Sequence, residues 1–222
     1  MSKIIAALIV ASGSGVRFGG DTPKQYKSLL GKPVINYSLE KFQNNKLISH
    51  VCVVIARNHE EIFQNTFQNK VDYCFGGKER NDSVRLGLEH LQHIHPDFVL
   101  IHDAARPMID DATINKIIQN LDEAHGIIVA RKIVDTVKQT ENDKILKTLP
   151  RQALMAAETP QAFNYSTIYS LHQKYKNQIF TDDSMLFEKE NIPVKFIETD
   201  RKNIKITSEE DLIVAESIMR NK

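Results

Sequence analysis

The sequence predicts an α/β fold in which a doubly wound, mostly parallel sheet carries a protruding β-hairpin arm. Apolar runs rich in β-branched residues alternate with stretches of helical spacing along the first 130 residues, as strands and helices do in such a sheet. The runs are nearly continuous, which is expected when helices cover both faces of the sheet. Two later segments alternate polar and apolar residues and indicate the arm.

Strands and helices are expected to follow one another through the first half of the chain. Pro33 suits a first helical turn, because its missing N–H has no helical partner there. Asp82 and Asp111 can cap their helices by accepting otherwise unpaired amide hydrogens. The predicted strands cover residues 4–10, 51–56, 71–75, 98–102 and 127–130. The predicted helices cover residues 33–43, 59–67, 82–93 and 111–123.

The arm is expected at residues 132–150, where two alternating strands, 132–140 and 144–149, flank a turn at 141–143. A two-stranded hairpin buries little apolar surface and is marginal by itself. We therefore expect the arm to pack against another surface, for which a partner subunit is one candidate.

After the arm, the chain is predicted to return to alternating helices and strands. The last helix begins at Ser208 as a capping box would, with Glu209, Glu210 and Asp211 near the positive end of its dipole. The elements between are helices at Tyr165–Lys174 and 182–191 and strands at 194–197 and 203–207.

Size and composition indicate one globular domain over residues 1–222. Lys and Arg number 29 against 28 for Asp and Glu, so we expect neither nucleic acid nor a membrane surface as a partner. The run at 4–10 is too short to span a bilayer and lacks a cleavage site, so a cytoplasmic location is expected. Cys52 and Cys74 lack the close Cys or His spacing of a zinc or redox motif, which favours buried free thiols.

A glycine-rich loop after the first strand, at residues 11–24, predicts a polyphosphate site. Its glycines let backbone amides approach phosphates, and Arg17 and Lys24 add positive charge. It is not a Walker A loop, since no Gly-Lys-Ser/Thr follows at the required spacing. Nor is it a full dinucleotide-binding fingerprint, since Phe18 stands where the third glycine should fall. An ordinary strand-to-helix turn is the alternative.

Lys24 strengthens the polyphosphate interpretation. The rigid ring of Pro23 precedes this lysine and can fix its ammonium group against the phosphorus under attack. Negative charge builds up there in the transition state, so a fixed cation lowers the barrier.

Two further polar clusters follow predicted strands, at the sheet edge where such folds bind ligands. Residues 76–84 follow the third strand, and residues 102–107 end the fourth. Asp103 can bind a magnesium ion or a substrate hydroxyl, because a carboxylate is a hard oxygen donor. The alternatives are a capped helix start for the first cluster and a solvated aspartate for the second. His102 is expected to be a packed, hydrogen-bonded residue rather than a base.

Taken together in this order, these motifs resemble those of the 2-C-methyl-D-erythritol 4-phosphate cytidylyltransferase family of the non-mevalonate isoprenoid pathway. The resemblance runs nearly end to end, and the joint order of its short landmarks is specific. The landmarks are Ala-Ser-Gly-Ser-Gly-Val-Arg-Phe at 11–18, Pro-Lys-Gln-Tyr at 23–26, Gly-Gly at 76–77, Arg-Asn-Asp-Ser-Val at 80–84, His-Asp-Ala-Ala-Arg-Pro at 102–107, Asp-Thr-Val-Lys at 135–138, Thr-Pro-Gln at 159–161, Thr-Asp at 181–182 and Asn-Ile-Lys-Ile-Thr at 203–207.

The resemblance implies a Rossmann-like nucleotidyltransferase that moves CMP from CTP to 2-C-methyl-D-erythritol 4-phosphate and releases pyrophosphate. It implies a magnesium ion held mainly by CTP oxygens, with Asp103 as its protein ligand, and a homodimer in which the arm reaches the neighbouring subunit. It assigns the stabilisation of the α-phosphate to Arg17 and Lys24. It assigns CTP binding to Ala11, Ser12, Gly13, Ser14, Gly15, Gly77, Asp82, Ser83 and Asp103. It assigns acceptor binding to Arg106, Thr136, Arg151, Thr159 and Lys205.

Two residues depart from the family pattern. Ser12 stands where alanine is common, and its hydroxyl can contact a phosphate or the base. Glu158 precedes Thr159 where a neutral residue is frequent. Because it places a like charge near a phosphate site, we expect its side chain to point away from that site.

Two other functions are open from the sequence. A ribitol 5-phosphate cytidylyltransferase shares the fold and most motifs, although residues 105–107 and 181–182 favour the erythritol acceptor. A nucleotide-binding regulator without catalysis is less compatible with the presence of both Arg17 and Lys24. The choice of cytosine rests on the resemblance alone. A fused later domain is not expected, because the last helix is predicted to end near Lys222.

Overall fold

Within residues 3–13, 18 and 22–221, which the computed structural model describes, the structure is built around a seven-stranded sheet. The strands are β1 (Ile5–Ala11), β2 (Ser28–Leu29), β3 (Lys32–Pro33), β4 (His50–Ile55), β5 (Asp72–Phe75), β6 (Phe98–Asp103), β7 (Gly126–Lys132), β8 (Lys138–Glu141), β9 (Lys144–Thr148), β10 (Met155–Asn164) and β11 (Lys195–Glu198). The helices are α1 (Val34–Gln43), α2 (Glu60–Phe67), α3 (Arg80–His90), α4 (Asp111–Gln119), α5 (Tyr165–Lys174), α6 (Ser184–Lys189) and α7 (Glu209–Arg220).

The sheet has the strand order β11-β7-β10-β6-β1-β4-β5. The strand β10 runs antiparallel to both of its neighbours, and the other pairings in the sheet are parallel. The carboxyl ends of β1, β4, β5 and β6 therefore lie at one edge. This arrangement confirms the predicted α/β class and its mostly parallel sheet.

Helices cover both faces of this sheet, because successive side chains of a buried strand point to opposite sides. Ile9 of β1 packs in an apolar layer with residues of α1, α2 and α4, such as Phe42. Its neighbour Leu8 packs in a second layer with residues of α3, α5 and α6, such as Leu88. Both faces are consequently apolar, as the nearly continuous runs in the sequence predict.

The strand β10 is absent from the sequence prediction, which assigns no strand to residues 155–164. Proline lacks the N–H that a central strand needs, so Pro160 argues against one. In the structure, the pairing of β10 with β7 shifts register between Glu158 and Gln161. Thr159 and Pro160 fall in this interruption, which lets a strand containing proline lie between β6 and β7.

Three further local predictions need correction. The helix α3 begins at Arg80 rather than at Asp82, which lies within its first turn and does not cap it. The helix α4 is capped by Asp110 rather than by Asp111, and the Asp110 carboxylate accepts a hydrogen bond from Thr113 N–H at 2.6 Å. Residues 203–207 form no strand in the described structure. The predicted capping box at Ser208 and Asp211 is confirmed.

The predicted arm is present as a separate two-stranded sheet of β8 and β9. Every residue of these two strands is exposed, including the large apolar side chains of Ile145 and Leu146. Among the described residues, no helix has the length and apolar character needed to cross a bilayer.

Candidate functional site

An open cavity lies at the carboxyl ends of β1 and β6, beside the first turn of α3. It brings together the three clusters that the sequence places after separate strands, because parallel strands end at the same sheet edge. Its lining includes Ala11, Ser12, Gly13, Lys24, Arg80, Asp103 and Lys205.

The start of the glycine-rich loop is held by the buried side chain of Gln25. Its amide Nε2 donates to the carbonyl oxygens of Ala11, at 2.6 Å, and Gly13, at 3.0 Å. These bonds connect the end of β1 to the short 3-10 turn Lys24–Tyr26 and so place Lys24 at the cavity. Ser14, Gly15 and Arg17 lie outside the described residues, and their roles remain predictions.

A short hydroxyl chain links the loop after β1 to the start of α3. Ser12 Oγ donates to Ser83 Oγ at 2.7 Å, and Ser83 Oγ donates to the Glu79 carbonyl oxygen at 3.0 Å. The Gly77 N–H donates to the same Ser83 oxygen at 3.2 Å. The Ser12 proton is thus directed at Ser83, and Ser12 offers only acceptor capacity to a ligand in this arrangement.

Glycines are required in the loop between β5 and α3, where the backbone approaches the first turn of the helix. A Cβ on Gly76 would lie 2.6 Å from Ser83 Oγ, and one on Gly77 would lie 2.5 Å from the Cβ of Asp82. Both distances are shorter than van der Waals contact allows, so larger residues would push the loop away from the helix. Of the predicted CTP ligands in this cluster, Ser83 contacts the cavity-lining Ser12, and none of Gly77, Asp82 and Ser83 is among the described lining residues of the cavity.

Asp103, at the end of β6, is the electrostatic centre of the cavity. Its Oδ1 accepts from Arg80 Nε at 3.0 Å, and its Oδ2 accepts from Lys205 Nζ at 2.6 Å. Burial of the carboxyl opposes ionisation, but the positive charges of Arg80 and Lys205 outweigh this and hold the pKa of Asp103 well below its usual range. Asp103 is therefore a carboxylate at neutral pH and fixes two cations beside the cavity.

Arg80 also joins Asp103 to a second buried carboxylate. Its Nη1 donates to Asp183 Oδ2 at 2.8 Å, while His172 Nε2 lies 3.1 Å from Asp183 Oδ1. Burial opposes ionisation of Asp183, yet the charge of Arg80 and the bond to His172 lower its pKa. The guanidinium fork thus holds two elements together, since Asp103 ends β6 and Asp183 precedes α6.

Thr159 makes internal hydrogen bonds through its buried hydroxyl. Its Oγ1 accepts from the Asp103 N–H at 3.0 Å and lies 3.1 Å from His102 Nδ1. Burial lowers the pKa of His102 to about 4, so the ring is neutral at pH 7. The ring donates from Nε2 to the Arg106 carbonyl at 3.1 Å, and Nδ1 accepts from Thr159. Thr159 therefore positions Asp103, and His102 is the packed residue that the sequence predicts.

Replacing Thr159 with valine is expected to lower the free energy of unfolding by about 1–3 kcal/mol, because the Asp103 N–H and His102 Nδ1 lose their buried partner. Urea unfolding of the purified variant measures this loss. Thr159→Ser keeps the hydroxyl and should recover most of it. A loss in Thr159→Ser with none in Thr159→Val, which keeps the methyl group, would show that the methyl group, rather than the hydrogen bonds, is responsible.

A second cavity, on the other side of Lys205, is rich in positive charge. Among its described lining residues are the cations Arg106, Arg131, Arg201 and Lys205 and the anions Glu158 and Asp211. The Asp211 carboxylate is occupied by the N–H groups of Thr207 and Ser208. Lys205 lines both cavities, so a ligand in either one approaches the same ammonium group.

Glu158 is the counter-ion within this second cavity. Its Oε1 lies 3.1 Å from Arg131 Nε and 3.8 Å from Arg106 Nη1. Its Oε2 accepts from Asn203 Nδ2 at 3.0 Å. Burial raises the pKa of Glu158, and the charge of Arg106 opposes that rise. The sequence expectation that Glu158 points away from this region is wrong, because its carboxylate is directed at the arginines that line it.

The segment 203–207 closes the boundary between the two cavities without forming a strand. The Ile206 N–H donates to the Ala105 carbonyl at 2.8 Å, and Arg106 Nη1 donates to the Asn203 carbonyl at 2.7 Å. Lys24 Nζ donates to the Ile206 carbonyl at 2.9 Å. Lys24 therefore contacts the segment that carries Lys205, and no sequence motif predicts this contact.

Three predicted acceptor ligands are not among the described lining residues of either cavity: Thr159, which is buried as described above, and Thr136 and Arg151. Thr136 and Arg151 are exposed at the base of the arm. Arg151 Nη1 donates to the carbonyl of Val134 at 2.6 Å.

Sequence reasoning assigned no role to Arg80, Arg131 or Asp183. A signal for Arg131 exists, because it lies near the carboxyl end of β7, the position where the fold binds ligands. Asp183 has no such signal. Its contact with Arg80 depends on how α6 packs beside α3 through α5.

Comparison with known proteins decides the family. The family model described as 2-C-methyl-D-erythritol 4-phosphate cytidylyltransferase matches residues 5–221. The chain belongs to the 2-C-methyl-D-erythritol 4-phosphate cytidylyltransferase family. The enzyme of that name from Caldicellulosiruptor bescii is 38% identical over 216 residues, which cover 96% of this chain and 96% of that protein.

Solved structures of this cytidylyltransferase family have the same fold. The 4-diphosphocytidyl-2C-methyl-D-erythritol synthase from Anaerococcus prevotii matches with a TM-score of 0.87 and 32% identity, covering 99% of this chain and 97% of that one. The 2-C-methyl-D-erythritol 4-phosphate cytidylyltransferase from Francisella tularensis matches with a TM-score of 0.82 and 31% identity, covering 96% and 99%.

Some relatives in the cytidylyltransferase family are longer. The bifunctional enzyme IspD/IspF from Wolbachia pipientis is 38% identical over 218 residues, which cover 95% of this chain but 54% of that protein. The chain thus spans about half the length of these bifunctional relatives and nearly all of the single-function ones.

Proposed function

We propose that this chain transfers CMP from CTP to 2-C-methyl-D-erythritol 4-phosphate, giving 4-diphosphocytidyl-2-C-methyl-D-erythritol and pyrophosphate. The observation that carries the proposal is that two cavities meet at Lys205, one beside the glycine-rich loop and the other lined by arginines. Such a pair can hold a nucleotide and a phosphorylated acceptor with their phosphates next to each other. Family membership supports the identity of both substrates.

The chemistry requires cations more than it requires a base. A phosphate monoester is largely a dianion at neutral pH, so its oxygen can attack the α-phosphorus of CTP once the repulsion between the two anions is offset. Lys205 would offset that repulsion from the boundary, and Arg106 and Arg131 from the acceptor side. Lys24 would stabilise the charge that develops on the α-phosphate, together with Arg17.

A divalent cation such as Mg²⁺ would neutralise further charge on the CTP phosphates. Asp103 suits it as a protein ligand because it is an ionised hard oxygen donor at the cavity. Both of its oxygens already accept from cations, which supports the expectation that phosphate oxygens supply most of the coordination. Thr159, Arg80 and Lys205 hold Asp103 in place by hydrogen bonds.

The assay that tests this function measures pyrophosphate release for each of the four common nucleoside triphosphates. Each is paired with 2-C-methyl-D-erythritol 4-phosphate and, separately, with ribitol 5-phosphate as the acceptor. We expect turnover with CTP and 2-C-methyl-D-erythritol 4-phosphate. The ribitol alternative has no support from the comparisons, and turnover with ribitol 5-phosphate alone would nevertheless establish it. Binding of CTP without turnover of either acceptor would instead indicate a regulator.

We also propose that the chain forms a homodimer through its arm. Ile145 and Leu146 of β9 are 65% and 53% exposed, and an isolated hairpin is marginal in water. A partner's arm would bring Thr136 and Arg151 toward the acceptor cavity, which the arm of the same chain does not reach.

The double substitution of Ile145 and Leu146 by glutamate is expected to weaken dimerisation at least about tenfold, because buried unpaired charges are costly. Light scattering after size-exclusion chromatography measures the mass across a dilution series. The matched control is a double glutamate substitution at Ile213 and Val214, an exposed apolar pair on α7. Dissociation in the control but not in the arm variant would place the interface on α7.

A further inference from the structure

A cluster of potential metal ligands lies at the end of the sheet opposite the cavities. His50 begins β4 and Asp72 begins β5, while His90 is the last residue of α3. Cys52 of β4 is paired with Asp72 across the parallel ladder. Because His50 and Cys52 are two residues apart on one strand, their side chains point to the same face, which α3 covers.

The functional atoms of this cluster are close together. The Cys52 thiol sulphur, a carboxylate oxygen of Asp72 and a ring nitrogen of His90 all lie within 4.8 Å of one another. His90 Nε2 lies 3.0 Å from Asp72 Oδ1, and His50 Nε2 lies 2.8 Å from Asp72 Oδ2. A second imidazole is therefore within reach of the same carboxylate.

We propose that Cys52, Asp72, His90 and His50 form a structural zinc site. Sulphur, nitrogen and oxygen donors of this kind are the ligands that zinc takes in tetrahedral sites, at about 2.0–2.3 Å. Ligand atoms around such an ion are roughly 3–4 Å apart, so small side-chain rotations would bring the three mutually close atoms into range. One thiolate and one carboxylate balance the double positive charge of the ion, and the two imidazoles bind as neutral ligands.

The position of the cluster permits a cation to enter. Cys52 is fully buried at the inner end of the cluster, whereas the side chains of Asp72 and His90 are 32% and 31% exposed. Binding would release the proton of the thiol to solvent, whereas each neutral imidazole would keep its proton on the ring nitrogen that does not bind the ion. Three elements from separate parts of the chain would be joined at one ion.

A zinc ion here would stabilise the fold without entering the transfer reaction. It would fasten the last turn of α3 to the edge of the sheet, and the first turn of that helix carries Arg80 and Ser83. Cys74 and His93 lie near the proposed ligands Cys52 and His90 but are not ligands themselves, so substitutions of these two residues serve as controls. Cys74 lies close enough to Cys52 to raise the pKa of its thiol by hydrogen bonding, and the exposed His93 ring lies 5.5 Å from that of His90.

The test uses the full chain stripped of metal with a chelator and titrated with Co²⁺, which reports thiolate ligation by a charge-transfer absorption. We expect one equivalent to produce this absorption, Zn²⁺ to displace the cobalt, and Zn²⁺ to raise the melting temperature. Cys52→Ser should abolish the absorption, and His90→Gln should weaken Co²⁺ binding at least about tenfold, since loss of a direct ligand exceeds the loss of an outer-shell partner. Cys74→Ser and His93→Gln should bind as the parent chain does.

The assignment is wrong if the parent chain shows no thiolate absorption with Co²⁺, or if Cys52→Ser retains it. Loss of the absorption in Cys74→Ser alone would place the site on the other thiol and overturn this ligand set. Circular dichroism and turnover of CTP are measured for each variant. Where both match the parent chain, a lost absorption is due to the substituted side chain and not to unfolding.

Discussion

Replacing Lys24 with alanine is expected to lower kcat for CMP transfer by about 10²–10³, the usual effect of removing a donor to the charge of a transition state. Lys24 lines the cavity at the carboxyl ends of β1 and β6, where we propose that CTP binds, and its ammonium donates to the Ile206 carbonyl at 2.9 Å. Because that charge is greatest in the transition state, KM for CTP should change far less than kcat. Steady-state pyrophosphate release measures both constants.

The matched control for Lys24 is Lys27→Ala. Lys27 is three residues further along the chain, is not among the described cavity linings, and lies over the ring of Phe18 with its Nζ 5.8 Å from the ring centroid. Its replacement removes the same charge three residues away and should leave kcat within a few-fold of the parent value. If Lys24→Ala kept full turnover while CTP still bound, the proposed role of Lys24 would have to be abandoned.

Replacing Arg80 with alanine is expected to lower the free energy of unfolding by about 3–5 kcal/mol, because two buried carboxylates lose their shared counter-ion. Arg80 contacts Asp103 at 3.0 Å and Asp183 at 2.8 Å. Lysine cannot reproduce this fork, so Arg80→Lys should recover only part of the loss. Urea unfolding at neutral pH measures the three proteins side by side.

The pH dependence of that loss separates charge from packing. Burial opposes ionisation of Asp103 and Asp183, but the charge of Arg80 outweighs it and lowers both pKa values. A lowered pKa in the folded state stabilises the protein fully above the unfolded pKa of about 3.9, and this stabilisation is lost as pH falls through the folded pKa. The difference between the parent chain and Arg80→Ala should therefore be largest near pH 7 and shrink below about pH 4.

A control on the same helix is Arg85→Ala. Arg85 pairs with Glu89 one turn away at 2.7 Å, and an i,i+4 pair contributes about 0.2–0.5 kcal/mol. Its replacement should cost much less than that of Arg80. A loss in Arg80→Ala that stayed constant from pH 7 into the acid range would show that packing, and not the carboxylates, accounts for it.

Much of the fold and of the cavity at the carboxyl ends of β1 and β6 can be predicted from the sequence, because the signals are local. The apolar run at Ile5–Ala11 and the glycines after it identify a buried strand that ends in a loop. Asp103 is likewise the last residue of a fully buried strand. Once a parallel sheet is inferred, geometry places the ends of these strands together.

The strand β10 could not be predicted in the same way, because its residues contradict the local rule for strands. Pro160 removes an N–H from the middle of the segment, and only the register shift beside it makes a central position acceptable. The role of Glu158 was mistaken for a related reason. Its environment is set by Arg131 and Asn203, which lie far away in the sequence.

The sequence by itself determined the fold class, the order of the loops at the sheet edge and the family, because periodicity and short motifs depend on neighbouring residues. Only the tertiary structure decided which charges meet. It paired Arg80 with Asp183, placed Lys205 between two cavities, and gathered Cys52, Asp72 and His90 from three elements. Electrostatic and coordinate bonds act over a few ångströms of space, and that distance is set by packing and not by spacing along the chain.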